Sequence, residues 1–122
     1  MNIVLWTIQG LLAVIFLMAG TMKLLKPVKE LSKKIGDWVN NFSTTILRAI
    51  GLTEILGALG LILPMLLKIY PILTPMAAVG LAFTMIGAMR LHINRKETKE
   101  VIVNSVLLLL TIFVIVGRLL VL

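Results

Sequence analysis

Glu54 and His92 are the two residues of this sequence able to trade protons from within apolar surroundings, and few other reactive groups accompany them. Glu54 is the one acidic residue inside a long apolar run, and His92, the only histidine, closes another. An ionisable group at the centre of a membrane helix costs roughly 2.5–3.5 kcal/mol, so Glu54 should face other helices and have a partner. Lys23 near the end of the first run, Arg90 beside His92, and Asn104 near the start of the last run offer donors at comparable depth. Two arrangements suit such a set. In one, Glu54 is a structural latch ionised by Lys23, or second by Arg90, that fixes helix register. In the other, Lys23, Glu54, Arg90, His92 and Asn104 converge on the polar head of a small amphiphile.

Much other chemistry is excluded. The chain has no cysteine, which removes thiol catalysis, disulfides and thiolate-held clusters from within it. One histidine and one deep carboxylate fall short of the ligands a four-coordinate metal needs, and haem held by two histidines would require a second protomer. No metal site and no catalytic residue is therefore assigned. The seven methionines, Met18, Met22, Met85 and Met89 among them, are apolar filler.

Four apolar runs must position these groups: Ile3–Leu25, Ile46–Leu67, Ile72–Leu91 and Val101–Leu122. Each is close to the roughly 20 helical residues that cross a hydrocarbon core about 30 Å thick. A composition 60% hydrophobic and 14% charged, with mean hydropathy +1.11, lies far from soluble globular proteins. The expected fold is a single all-α membrane domain over 1–122, a bundle of four transmembrane helices. The first run is too long, and lacks the basic start, for a cleaved signal peptide.

Charge gives the topology. Strung up and down, the four runs collect Lys23, Lys26, Lys29, Lys33, Lys34 and Arg48 at the first loop, and Arg90, Arg95, Lys96 and Lys99 at the third. Lys68 and Arg118 alone belong to the opposite side. The positive-inside rule then predicts basic loops in the cytoplasm and both termini outside. The expected residence is a prokaryotic plasma membrane. The net charge of +7 is accounted for by this orientation and by anionic lipids at the cytoplasmic face, with no nucleic acid required. Trp6 and Tyr70 fall at the outer belt, where Pro64 and Pro71 bound a short loop.

Within the first loop Val28, Leu31, Ile35, Trp38, Val39 and Phe42 form one helical stripe, while Lys29, Glu30, Lys33 and Lys34 face away. This predicts a short amphipathic helix over 28–42 lying in the interface, with Pro27 at its start and Gly36 in its middle. Small residues set the helix packing in lipid: Gly80, Thr84, Gly87 and Ala88 on the third run, Gly51, Gly57 and Ala58 on the second, Ala13 and Gly20 on the first. Gly20, Gly57, Gly80 and Gly87 are the expected packing points. Asn104, Thr111 and Arg118 make an inward stripe on the fourth run, with Arg118 snorkelling outward. The outer half is expected to be lined by Leu59, Leu63, Leu73 and Val79, giving a cavity apolar outside and polar at its cytoplasmic mouth.

Three strings carry a family resemblance. They are Phe16-Leu17-Met18-Ala19-Gly20-Thr21-Met22-Lys23-Leu24, the stretch from Gly51-Leu52-Thr53-Glu54 through Gly57-Ala58-Leu59-Gly60 to Pro64, and Gly87-Ala88 shortly before His92. In order and spacing the chain resembles the DoxX-like family of small membrane proteins over nearly its whole length. The resemblance implies a four-helix bundle with Gly20, Lys23, Glu54, Gly57, Gly87 and His92 on family-typical positions. It also implies company: the family name comes from a subunit associated with thiosulfate:quinone oxidoreductase, and other members are linked to membrane redox assemblies with soluble partners. The absence of cysteine speaks against any thiol or persulfide step here. The expected role is a non-catalytic scaffold or accessory subunit whose polar site takes a quinone or lipid, with a protein partner or a second copy alongside. The alternatives are a catalytic or quinone-reactive subunit of a membrane oxidoreductase, and a small transporter working as a dimer.

Overall fold

The computed structural model describes residues 1–121, so Leu122, the end of the fourth expected span, lies outside it. Helix α1 covers Asn2–Leu25, α2 Val28–Ile35, α3 Thr44–Leu66, α4 Leu73–Asn94 and α5 Thr98–Val121, with a short 3-10 helix at Asp37–Asn41. Four of these, α1, α3, α4 and α5, are long and apolar enough to cross a membrane. Their outward faces agree, since Phe83, Leu109 and Leu120 stand exposed with many other large apolar side chains. In water such a surface would aggregate; in a bilayer it is solvated. The chain is an all-helical integral membrane protein.

Neighbouring helices run antiparallel, α1 along α3 and α4 along α5, with α3 joining the two pairs through α4. Close backbone approach holds α1 to α3. A Cβ added at Gly20 would lie 2.6 Å from the Gly51 carbonyl oxygen, and one added at Gly51 would lie 2.7 Å from that of Gly20. Dispersion between two touching backbones replaces the hydrophobic drive that lipid cannot supply. Gly57 and Gly60 likewise admit Leu81 and Ala77 of α4. These α3–α4 contacts sit in the half next to the α3–α4 turn, where the Thr74 hydroxyl also donates to the Gly60 carbonyl. Gly80 and Gly87, expected as packing points, have nothing within 4 Å of an added Cβ and face outward instead.

Helix ends are satisfied locally. Ser43 caps α3 by accepting from the Ile46 N–H. Arg48 reaches back from α3 to donate to the carbonyls of Lys23 and Lys26, the orphan acceptors at the end of α1. The expected loop helix is broken at Gly36, whose φ of +116° only glycine adopts freely. Beyond the break Trp38 folds back, and its indole N–H donates to the Ile35 carbonyl. The apolar stripe turns inward: Leu31, Trp38, Val39 and Leu47 form a second core with Met22 and Leu91. The segment is thus a lid on the basic end of the bundle, with Lys29, Lys33 and Lys34 exposed on its far side.

Candidate functional site

At the basic end of the bundle, under the lid, lies a cavity of about 730 Å³. Phe16, Ile50 and Met85 give it apolar walls, and Trp38 and Phe42 roof it. Ala49 and Thr53 of α3 and Phe83 and Gly87 of α4 also line it, and all four are exposed on the lipid-facing side. With Ile15 of α1 and Val103 of α5 exposed as well, the cavity reaches the lipid-facing flank of the bundle, chiefly along α3 and α4.

Lys23 and Glu54 lie at its inner polar end. The Lys23 ammonium donates to Glu54 Oε1 at 2.6 Å, with the carboxylate side chain 2% and the lysine 13% exposed. The Lys23 ammonium also lies 5.7 Å from the Trp38 ring centre. The phase of α3 explains this placement: Leu47, Gly51, Glu54, Ala58 and Leu61 are its buried residues and share one face.

His92 is buried at the end of α4, its ring edge-on to Trp38 at 5.8 Å. Its Nδ1 lies 2.8 Å from Glu97 Oε1. The α4 terminus builds this contact. Lys96 takes a left-handed φ of 58°, which lets the Glu97 N–H donate to the His92 carbonyl at 2.9 Å and brings the Glu97 side chain to the edge of the ring. Arg95 Nε donates to the same oxygen at 3.1 Å. The hydrogen bond from His92, helped by the Arg95 charge, holds the Glu97 carboxyl below the usual carboxylate range.

Of the five residues expected at a head group, Lys23, Glu54, His92 and Asn104 line one cavity and Arg90 does not. Arg90 is exposed. It stands two residues before His92, roughly 200° round the helix, so turning His92 inward turns Arg90 out. Leu59, Leu63, Leu73 and Val79 are also exposed, and the expectation that they line the interior is corrected. They fall one or two positions off the inward phases of α3 and α4; Leu12, Phe16, Ala58, Leu61, Leu81 and Val114 fill that space.

The opposite end holds a second polar group that sequence reasoning missed. Arg118 is 1% exposed rather than snorkelling outward. Its Nε donates to Gln9 Oε1 at 2.5 Å and its Nη1 to Asn2 Oδ1 at 2.7 Å, and its guanidinium lies 5.2 Å from the Trp6 ring centre. Gln9 in turn donates to the Leu61 carbonyl. Helical phase could have found Gln9, since it shares a face with Leu5, Leu12 and Phe16, the other buried residues of that stretch. Among the described residues no group of three or more histidine, aspartate or glutamate side chains is placed to hold a metal ion.

A family model described as the DoxX-like family matches residues 7–114. No curated protein and no solved structure matches the chain.

Proposed function

The chain belongs to the DoxX-like family, and for it we propose a non-catalytic membrane subunit that holds an amphiphile, a lipid or a quinone, in its lidded cavity and serves as a scaffold for a partner. The observation that carries this reading is the cavity itself, about 730 Å³ with apolar walls, a lateral opening and a polar end. That volume falls in the range of roughly 300–1,000 Å³ typical of small-molecule sites, which pair apolar walls with a few polar groups. Exposure of Thr53, Phe83 and Gly87 on the flank supports entry of a chain-bearing ligand from the bilayer. The exposed Lys29, Lys33, Lys34 and Lys96 at the same end suit anionic headgroups or an acidic partner surface. In this proposal that end lies in the cytoplasm of a prokaryotic cell and both termini lie outside.

A latch alone would account for the Lys23–Glu54 pair but would need no empty space beside it. Catalysis within the chain would need a redox centre or an acid–base pair in contact, and Glu54 and His92 have separate partners, Lys23 and Glu97. Transport by a dimer is disfavoured by four continuous helices, because carriers commonly break helices at the binding site. Native mass spectrometry of the gently purified protein tests the proposal. A bound lipid or quinone lost in Gly87→Trp, which fills the lateral opening, is the expected result. Bare protein under conditions that retain annular lipids would refute it.

A further inference from the structure

Away from the lidded cavity, we infer that the outer face of α1 and the start of α2 together hold one anionic phospholipid, its acyl chain along α1 and its phosphate at Lys26 and Lys34. The apolar half of this site is a groove of about 540 Å³. Its lining is Leu17, Met18, Thr21, Met22, Leu25 and Lys26, none of which lines the cavity. Their spacing puts them on one face of α1, where the half-buried Thr21 and Met22 lie lower than the exposed Leu17, Met18 and Leu25. From Leu17 to Leu25 the groove runs about 12 Å along the helix and stops at its end. It lies within a membrane-spanning helix, so what fills it must be apolar over that length.

The basic half follows from the turn out of α1. Lys26 is extended, with ψ of 146°, because it precedes Pro27 and is kept out of the helical region. Helix α2 then starts at Val28, and Glu30 and Lys34 follow Lys26 at four-residue spacing. The Lys26 and Lys34 ammoniums consequently gather on one oxygen, Glu30 Oε1, at 3.4 and 4.0 Å. Both distances exceed the roughly 2.7–2.9 Å of a well-made charged hydrogen bond, and one carboxylate cannot neutralise two cations. The surplus positive charge stands at the mouth of the groove, since Lys26 also lines it. An acyl-sized groove ending at an unneutralised cation matches the order of parts in a phospholipid of net negative charge. A zwitterionic lipid would bring its own cation to the same place, and an acidic soluble protein would leave the groove unfilled.

The chain lacks cysteine, so a trifluoroethyl thiol tag on Met18→Cys reports on the groove by fluorine NMR. The full chain is placed in nanodiscs doped with phosphatidylglycerol or phosphatidylcholine, each spin-labelled at the same acyl carbon. Phosphatidylglycerol should broaden the Met18→Cys signal saturably and about fivefold more strongly per mole than phosphatidylcholine, the effect of one surplus charge beside a head group. Val106→Cys, exposed on α5 at a similar distance from the basic end, should see both lipids alike. Lys26→Gln with Lys34→Gln should abolish the preference at Met18→Cys, and Glu30→Gln should enlarge it. Lys29→Gln with Lys33→Gln removes the same charge from the exposed side of α2 and should leave most of the preference. Equal broadening by the two lipids at Met18→Cys, the same preference at Val106→Cys, or equal loss in the two lysine pairs would overturn the inference, the last by revealing a diffuse surface field. Absence of broadening by either lipid would also overturn it and give the groove to a partner helix or a second copy. The cavity shares no residue with this groove and is tested separately by Gly87→Trp.

Discussion

Two cations inside the bundle, Lys23 half-buried and Arg118 fully so, have different company and set the polar character of this protein. Lys23 has a carboxylate, Glu54, at 2.6 Å, whereas Arg118 is held by the neutral oxygens of Gln9 and Asn2, and its Nη2 has no partner among the described residues. Arg118 remains tolerable because it sits in the last turn of α5, where the helix dipole is negative, and against the face of Trp6. Glu54 has no such compensation apart from Lys23. Glu54→Ala should therefore destabilise the protein by about 3 kcal/mol, toward the lower end for a broken buried pair because Lys23 keeps some access to the cavity. Glu54→Gln, which keeps shape and one acceptor, should be milder, and Lys23→Met with Glu54→Leu should recover most of the loss. Thermal unfolding in detergent ranks the variants; a double variant no better than Glu54→Ala would show that the pair supplies more than mutual neutralisation. The pair was legible in the sequence because each partner follows from depth and phase within its own helix. The Gln9–Arg118 bond was not, because it joins residues 109 apart whose meeting depends on how α1 and α5 are rotated.

At the scale of elements, contact between glycines outweighs apolar content. The Gly20–Gly51 crossing leaves no room for a methyl group, and the atom it would strike is backbone, which cannot turn aside. Gly20→Ala should force α1 from α3 and cost about 1–3 kcal/mol, as overpacking does. Gly10→Ala, on the same helix with nothing within 4 Å, should be neutral or slightly stabilising through helix propensity. Unfolding midpoints of the two variants decide this, and an equal loss in both would mean that the crossing is looser than described. The four spans and their loops were legible from apolar runs and prolines, since length alone fixes them. Which glycines pack was not. Gly80 and Gly87 have the right spacing for a packing stripe, but α4 turns Ala78, Leu81 and Met85 inward, leaving that stripe outward. The lid was half legible: its stripe is plain in the sequence, but the break at Gly36 that folds Trp38 onto His92 is a tertiary outcome.

Across the whole molecule, folding sharpens the charge asymmetry that the sequence carries. Of the two basic residues assigned to the end that bears the termini, Arg118 is buried in the bundle, so only Lys68 presents a basic side chain there at the surface. The other end exposes Lys29, Lys33, Lys34, Arg90, Lys96 and Lys99. Basic residues flanking short loops resist translocation, so the proposed orientation places the lid and the cavity in the cytoplasmic half of the membrane. That assignment matters to function, because it decides which leaflet faces the cavity's opening on the lipid-facing flank. The chain has no cysteine, so single cysteines can be read without background. Lys96 stands exposed in the α4–α5 turn and Tyr70, 74% exposed, in the α3–α4 turn, and both tolerate a small side chain sterically. On intact cells a membrane-impermeant maleimide should label Tyr70→Cys at once and reach Lys96→Cys only after permeabilisation. The reverse pattern would turn the molecule over: the cavity would then draw on the outer leaflet, and its partner would have to be sought outside the cell.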